Sequence, residues 1–586
     1  MSVKNKNTNN SFSVSYYLKK NKLFIFLSPF FKILETLGEI LTPFLVAKII
    51  DIGIKNKDIP YILKISIIVV VLNIFCIVCG IIAQKTAAVA SERIGQQIRD
   101  DLFTHINTFS HKELDKFSTA TVLNRFLNDV YILQEAISRF LRLLIRSPLL
   151  IIGSLIMALS VNLKLSIIFI IVCPIIFLIV YFITKKLQPL FDEEKKRLDK
   201  TTQITKENLN GIRVVRAFNK QNFETERFTN SNLNLLKVNL KQGYLSAIIQ
   251  PLVYLFINFS IVAVIYFGGF LINEGDFSQG NLLAFINYFT KISLSLITIV
   301  SLVTTLTKLK VSTERIKEVF ETTNSIKNST NAIDIDLKNI NYGNIEFKNV
   351  SFSYNSIKNV VNNLSISIKS GQSIGIIGGT GSGKSSIINL IPRFYDVSKG
   401  EILINNINIK KYKVEDLRKI VGIVPQNPML FTGTLRENLS WRNQEVSDEQ
   451  IIKSLKIAQA YDFVKEYPEF LDYKVQRGGT NFSGGQKQRL TIARALVGNP
   501  HILILDDSTS ALDFATDTKL RKAIKTILKD TTLFLVSQRT NSLKDCDQII
   551  VIDAGNIIDI GTHNQLLERC ELYKEIHNSQ NTKEEN

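Results

Sequence analysis

The chain has 586 residues, 45% of them hydrophobic, and a formal net charge of +19. That length exceeds one compact domain, and most long apolar runs lie before about residue 307. The positive balance fits nucleic acid or an anionic membrane surface; because many basic residues fall in loops between apolar runs, it is read as membrane lipid and no nucleic acid.

The first 22 residues are polar and basic and lead into an apolar segment with no small-residue cleavage pattern, so no removable signal peptide is expected. A membrane span needs about 20 mostly apolar residues. Six stretches answer to that: 23–50, 62–82, 144–161, 165–183, 245–272 and 282–306. The loop over 84–139 holds seven Lys/Arg and that over 184–244 thirteen, whereas the opposite loops hold only Lys55, Lys57 and Lys164. The positive-inside rule then predicts a multi-pass protein of the cell membrane with both long loops and both termini cytoplasmic.

Those two loops carry charged, helix-favouring sequence, SERIGQQIRDDLFTHI and LDKTTQITKENLNGIRVVRAF. They are expected to prolong the spans as helices into the cytoplasm and turn back there, each turn offering a docking point for a soluble domain. Charge also lies in or beside the spans. Glu35 and Glu39 sit one turn apart in the first, Arg142 and Arg146 flank the third, and Lys291 lies in the sixth. Embedded charge is costly and often functional, although Arg142 and Arg146 lie close enough to an edge to snorkel. Five cysteines give no disulfide framework, and the Cys76–Cys79 pair reads as a buried helix face, not a metal site. Residues 321–341 are polar and aperiodic, as a linker would be. The division expected is a helical membrane domain over 1–320, that linker, and an α/β P-loop cassette domain over 342–586.

In the third part an apolar strand at 374–377 runs into GGTGSGKSS, residues 378–386, followed by a helix-like SSIINLI. This is G-x-x-x-x-G-K-[ST] in the right setting. Gly378, Gly379, Thr380, Gly381, Ser382 and Gly383 form a loop whose backbone N–H groups face phosphate. Lys384 brings charge to the β/γ-phosphates, Ser385 offers a hydroxyl to Mg²⁺, and Ser386 follows. Tyr354 in FSYNS stands where a base could stack. A second apolar strand, ILIL, ends in Asp506, the expected partner of the magnesium shell. Between them Ser483, Gly484, Gly485 and Gln486 open a helix with an anion-receptive N-terminus.

Tyr354, GGTGSGKSS, Gln426 in VPQNPMLF, FSGGQKQR, ILILDD, SALD and SQRT, in that order, resemble the ATP-binding cassette of ABC transporters. Six spans ahead of one cassette resemble an ABC exporter half-transporter. The resemblance implies ATP and Mg²⁺ as cofactors, with Asp513 among the nucleotide-binding residues and Gln426 beside Ser385 and Asp506 at the metal. It also implies two cassettes meeting head to tail, each ATP held by the phosphate loop of one and the signature of the other. The hairpin turns would act as coupling helices.

Three positions depart from that family. Asp507 stands where a glutamate polarises the attacking water, and its arm is one methylene, roughly 1.5 Å, short. A misplacement of about 1 Å at a reacting centre costs on the order of 100-fold. Gln538 stands where the family has histidine; it donates a hydrogen bond but relays no proton. Arg477, in Gln476–Arg477–Gly478–Gly479, takes a usually acidic place. With the FSGGQ signature complete, the pattern resembles the degenerate-site subunit of a heterodimeric multidrug exporter for amphiphilic drugs or lipids. The alternatives are a homodimer with two slow sites and a nucleotide-gated channel or regulator.

Overall fold

The computed structural model describes residues 12–335, 342–355, 358–508 and 510–581, leaving out the side chains of 304, 307 and 581. The tail of the expected linker, 336–341, and both chain ends lie outside them. The chain divides into two units. The first comprises the residues up to Asn107 with Thr119–Thr322, the second Thr108–Ser118 with Thr323 onward. The tip of the first hairpin, although inside the 1–320 stretch, thus groups with the second unit.

Six long helices build the first unit: α1 (Lys22–Lys48), α2 (Ile59–Asn107), α3 (Thr119–Val161), α4 (Leu163–Asn210), α5 (Gln221–Asn273) and α6 (Gln279–Glu321). Five of them, α2 to α6, are long and apolar enough to cross a membrane. The sixth expected span, α1, has 27 residues but carries Lys32, Glu35 and Glu39 in its middle, so composition alone does not qualify it.

The helices outrun their apolar segments for a visible reason. Along α2, Ala83, Ala87, Ala90, Ile94, Ile98 and Leu102 are all fully buried at helical spacing, and most of that stripe lies beyond the apolar run. At 49 residues α2 is about 74 Å long. Gly95 leaves room there for the Gln134 side chain, whose amide oxygen lies 2.3 Å from where a Cβ would stand. At the second hairpin α4 ends before Gly211, a short helix Ile212–Ala217 follows, and α5 begins at Gln221. The core of this unit gathers Ile40, Phe169, Ile257, Phe285, Tyr288 and Phe289, with the Tyr288 hydroxyl donating to the Ile40 carbonyl at 3.2 Å.

Two sheets organise the second unit. A four-stranded antiparallel sheet has the order β2-β1-β4-β5, from β1 (Ile345–Phe352), β2 (Val361–Ile368), β4 (Lys399–Ile404) and β5 (Ile407–Asn408). The central sheet holds β3 (Ser373–Gly378), β6 (Val421–Val424), β7 (Ile502–Asp506), β8 (Thr532–Val536), β9 (Gln548–Asp553) and β10 (Asn556–Gly561) in the order β10-β9-β3-β8-β7-β6. All its pairings are parallel except β9 with β10. Every residue of β3 is buried, which is why it reads as a continuous apolar run and not an alternating one. Helices α7 (Lys384–Leu390), α8 (Asp448–Ile457), α9 (Gly484–Leu496), α10 (Phe514–Ile527) and α11 (Glu571–Asn581) accompany the sheets.

The start of α6 is tied to the segment that follows α1 by one carboxylate. Asp51 accepts from the Ser278 hydroxyl at 2.5 Å and from the Gly280 amide at 2.8 Å, and a Cβ on Gly280 would meet the Ala47 carbonyl at 2.3 Å. Asp51 therefore serves two donors at a helix N-terminus, where an anion is favoured. Replacing it with Ala is expected to cost about 1–2 kcal/mol, read as a lower unfolding midpoint of the detergent-solubilised protein, with Asp51→Asn falling in between.

Candidate nucleotide site

The parallel register sets the site. Ile376 of β3 pairs with Val536 of β8, and Val536 pairs with Asp506 of β7. Three strand ends therefore meet at one edge of the sheet, where ligands of open α/β sheets bind. From β3 the chain turns at Gly378, where a Cβ would lie 2.0 Å from the Ile552 carbonyl, and at Gly383, whose φ of 102° is left-handed. Gly379, Thr380 and Gly381 are exposed on the loop, while Ser382 and Gly383 are buried.

Lys384 opens α7, and its ammonium donates to the carbonyls of Gly378 (2.9 Å) and Gly379 (2.7 Å). Burial pulls that ammonium below the usual lysine range, with Asp507 and Asp506 opposing. The Ser385 hydroxyl donates to Asp506 at 3.1 Å. Burial raises the Asp506 carboxyl, with Ser385 and Lys384 opposing the rise and Asp507 adding to it. Asp507 follows the strand in a left-handed conformation (φ 44°), its amide donating to the Val536 carbonyl at 3.0 Å. Its carboxylate accepts from the Gln426 amide at 3.4 Å. Burial raises this acid too, with Lys384, Arg539 and Gln426 opposing.

Lys384, Ser385, Gln426, Asp506 and Asp507 thus come together. Tyr354 joins the rim, its hydroxyl 3.0 Å from that of Ser386 and its ring edge-on to Phe352 and Tyr395. Gln538 lies past the end of β8 with an exposed side chain. Asp513 caps α10, accepting from the Thr516 amide at 2.9 Å, and that hydrogen bond keeps its carboxyl low.

Ser483, Gly484, Gly485 and Gln486 stand elsewhere. Ser483 caps α9 in a reciprocal box, accepting from the Gln486 amide at 3.2 Å while its own amide donates to the Gln486 side chain at 2.9 Å. Helix α9 packs on α8 and β6, whereas α7 packs on β3, β7 and β8.

The donor set suits magnesium. Among the described residues no group of three His, Cys, Asp or Glu side chains could hold a metal. The Ser385 hydroxyl and the Asp506 carboxylate are hard oxygen donors already in contact, and Mg²⁺ takes few protein ligands beside phosphate and water. Those two residues, with Gln426 nearby, would hold it, and it would neutralise charge on the β/γ-phosphates.

Two features escaped the motif reading. Arg539 opposes the rise of the Asp507 carboxyl electrostatically, an influence hidden in SQRT behind the conspicuous Gln538. In α11, Gln580 donates to the Gln538 carbonyl at 2.6 Å and accepts from the Thr540 amide at 2.9 Å. The Thr540 hydroxyl also lies 2.9 Å from Nδ1 of His577. No local motif around residue 580 signals this clamp.

The family description "ABC transporter transmembrane region" matches residues 25–296, and "ABC transporter" matches residues 361–510. An "Uncharacterized ABC transporter ATP-binding protein YfiB" of Bacillus subtilis is 35% identical over 565 residues, 96% of this chain and 97% of that protein. The "Putative multidrug export ATP-binding/permease protein YgaD" of the same organism is 31% identical over 500 residues, 85% of each. The structure of a bacterial Atm1-family ABC exporter with ATP bound has the same fold, with a TM-score of 0.79 at 22% identity over 96% of this chain and 99% of that one.

The raised acid at Asp507 has a stability consequence. A carboxyl whose folded-state pKa exceeds its ordinary value of 3.8 destabilises the fold when ionised. That penalty is complete above the folded-state value and absent below the ordinary one. Asp507→Asn is therefore expected to raise the nucleotide-free unfolding midpoint at pH 7 by roughly 2 °C, a gain that shrinks as the pH falls toward 4.

Proposed function

Because the chain belongs to the ABC transporter family, carrying a membrane region and an ATP-binding cassette whose ATPase is coupled to transport, we propose that it is one half of a heterodimeric exporter. Its own nucleotide site would retain ATP and hydrolyse it slowly, while its signature completes a competent site on the partner. The cassette and both termini face the cytoplasm in this reading. The cargo class is amphiphilic, drugs or lipids, in keeping with the multidrug export name carried by one relative.

The observation that carries the reading is the pair Asp507 and Gln538. Asp507 keeps its charge beside Lys384 and Gln426 but is one methylene short of the carboxylate that polarises water in this family. Gln538 offers an amide where a proton relay is expected. Of the binding residues, Ser385 is hydrogen-bonded to Asp506, and the neighbouring Lys384 is held on the loop by the Gly378 carbonyl. The separation of α9 from α7 in packing agrees with a signature that serves another chain's phosphate loop.

Three measurements test this. The chain purified alone is expected to bind ATP and turn it over slowly; brisk magnesium-dependent turnover without a partner would count against the heterodimer. In the complex isolated from its own membranes, Asp507→Asn is expected to lower ATPase less than about twofold, and Gly485→Asp to lower it on the order of 100-fold. Equal losses would contradict the asymmetry. Asp507→Glu combined with Gln538→His is expected to speed hydrolysis in the weak site, and no gain would mean these side chains do not limit it.

A further inference from the structure

Between α1 and α2 lies an open cleft of about 670 Å³, lined by Lys32, Glu35 and Glu39 of α1 and by Asn73, Gln84 and Lys85 of α2, among others. Apolar lining comes from Ile77, Ile81 and Ala88, so the cleft is amphipathic along its length. Gly80 lets the wall close in, since a Cβ there would sit 3.1 Å from the Glu35 carboxylate.

The charges in and around this cleft do not balance. Glu35 accepts from the Lys32 ammonium with both oxygens, at 2.8 and 2.7 Å. Glu39 accepts from Arg146 with both of its oxygens, at 3.1 and 3.0 Å. The Lys291 ammonium donates to the Glu39 carbonyl. Each carboxylate already has its own cation, and Lys291 adds a further positive charge. Lys85 lines the cleft with an exposed side chain and no hydrogen-bond or ionic partner among the described residues. Four cations therefore face two carboxylates, an excess of two positive charges.

We propose that this cleft binds the anionic headgroup of a lipid-like amphiphile, with Lys85 as its principal contact and the apolar tail lying along Ile77 and Ile81. The proposal rests on reading α1 and α2 as membrane spans of an exporter. Lys291 lies within the sixth apolar stretch, where uncompensated charge is costly, and Lys85 stands just past the 62–82 run, at the level where a lipid headgroup sits, so an anion that neutralises them is favoured. A cationic amphiphile meets the opposite situation, because neither carboxylate is free to receive it. Membrane phospholipid and an exported anionic amphiphile present the same chemistry.

Binding without ATP tests the site. The full-length protein in phosphatidylcholine nanodiscs is titrated with dodecyl phosphate and with dodecyltrimethylammonium. Dodecyl phosphate is expected to bind more tightly, with affinity about fivefold weaker in Lys85→Gln and kept in Lys85→Arg. Unchanged ATP binding in Lys85→Gln reports an intact fold. If phosphatidylglycerol added to the nanodisc competes, the site takes membrane lipid; if it does not, the site takes exported amphiphiles, and either result supports an anion site. Equal or tighter binding of the cation, or unaltered affinity in Lys85→Gln, would overturn it. Intact anion binding with no ATP-driven movement of dodecyl phosphate or any other amphiphile into inverted vesicles would sink the exporter reading and leave the site standing. Transport of other amphiphiles with no anion binding would do the reverse.

Discussion

The ladder that pairs Ile376 with Val536 and Val536 with Asp506 decides where the chemistry of the cassette can happen. Parallel strands end at a common edge, so a phosphate loop leaving one, an acid ending the next and a switch segment leaving the third must converge. Burial on both faces makes that edge a low-dielectric place. The same burial that raises the acids Asp506 and Asp507 pulls Lys384 the other way. The strand register therefore underlies both the position and the electrostatics of the site.

A different rule governs the helical unit. Its long helices persist beyond their apolar segments because a narrow stripe of small and branched residues continues at helical spacing. Charge within it is handled by local pairing. Lys32 with Glu35 and Arg146 with Glu39 are ion pairs, and Asp129, 1% exposed, accepts from Ser312 at 2.8 Å. Each pairing lowers the cost of placing a charge away from water.

Much of this was legible in the residues. The phosphate loop, the strand ending in Asp506 and the capped signature helix follow from glycine placement, continuous apolar runs and a Ser-x-x-Gln box, all local signals. The prolonged helices were legible for a similar reason, since periodicity survives in charged sequence. What stayed hidden depends on distance along the chain. Arg539 near Asp507 and Gln580 on Gln538 join residues 32 or more positions apart. The grouping of the tip around His111 with the second unit, where its ring stacks on Phe394 at 4.2 Å, is equally nonlocal. The first expected span, 23–50, carries Lys32, Glu35 and Glu39 in its middle, and the pairing that neutralises them, Lys32 with Glu35 and Glu39 with Arg146, is not visible in its own stretch of sequence.

The clamp from α11 gives a helix outside the motifs leverage over the switch segment. Gln580 grips main-chain atoms on both sides of Arg539, the residue whose charge steadies Asp507. Tension or displacement applied to the last helical turn, by a fused tag or a neighbouring molecule, would be transmitted to the switch backbone without any side chain of the phosphate loop being touched. A segment that contributes nothing to the motifs is thereby mechanically wired to them.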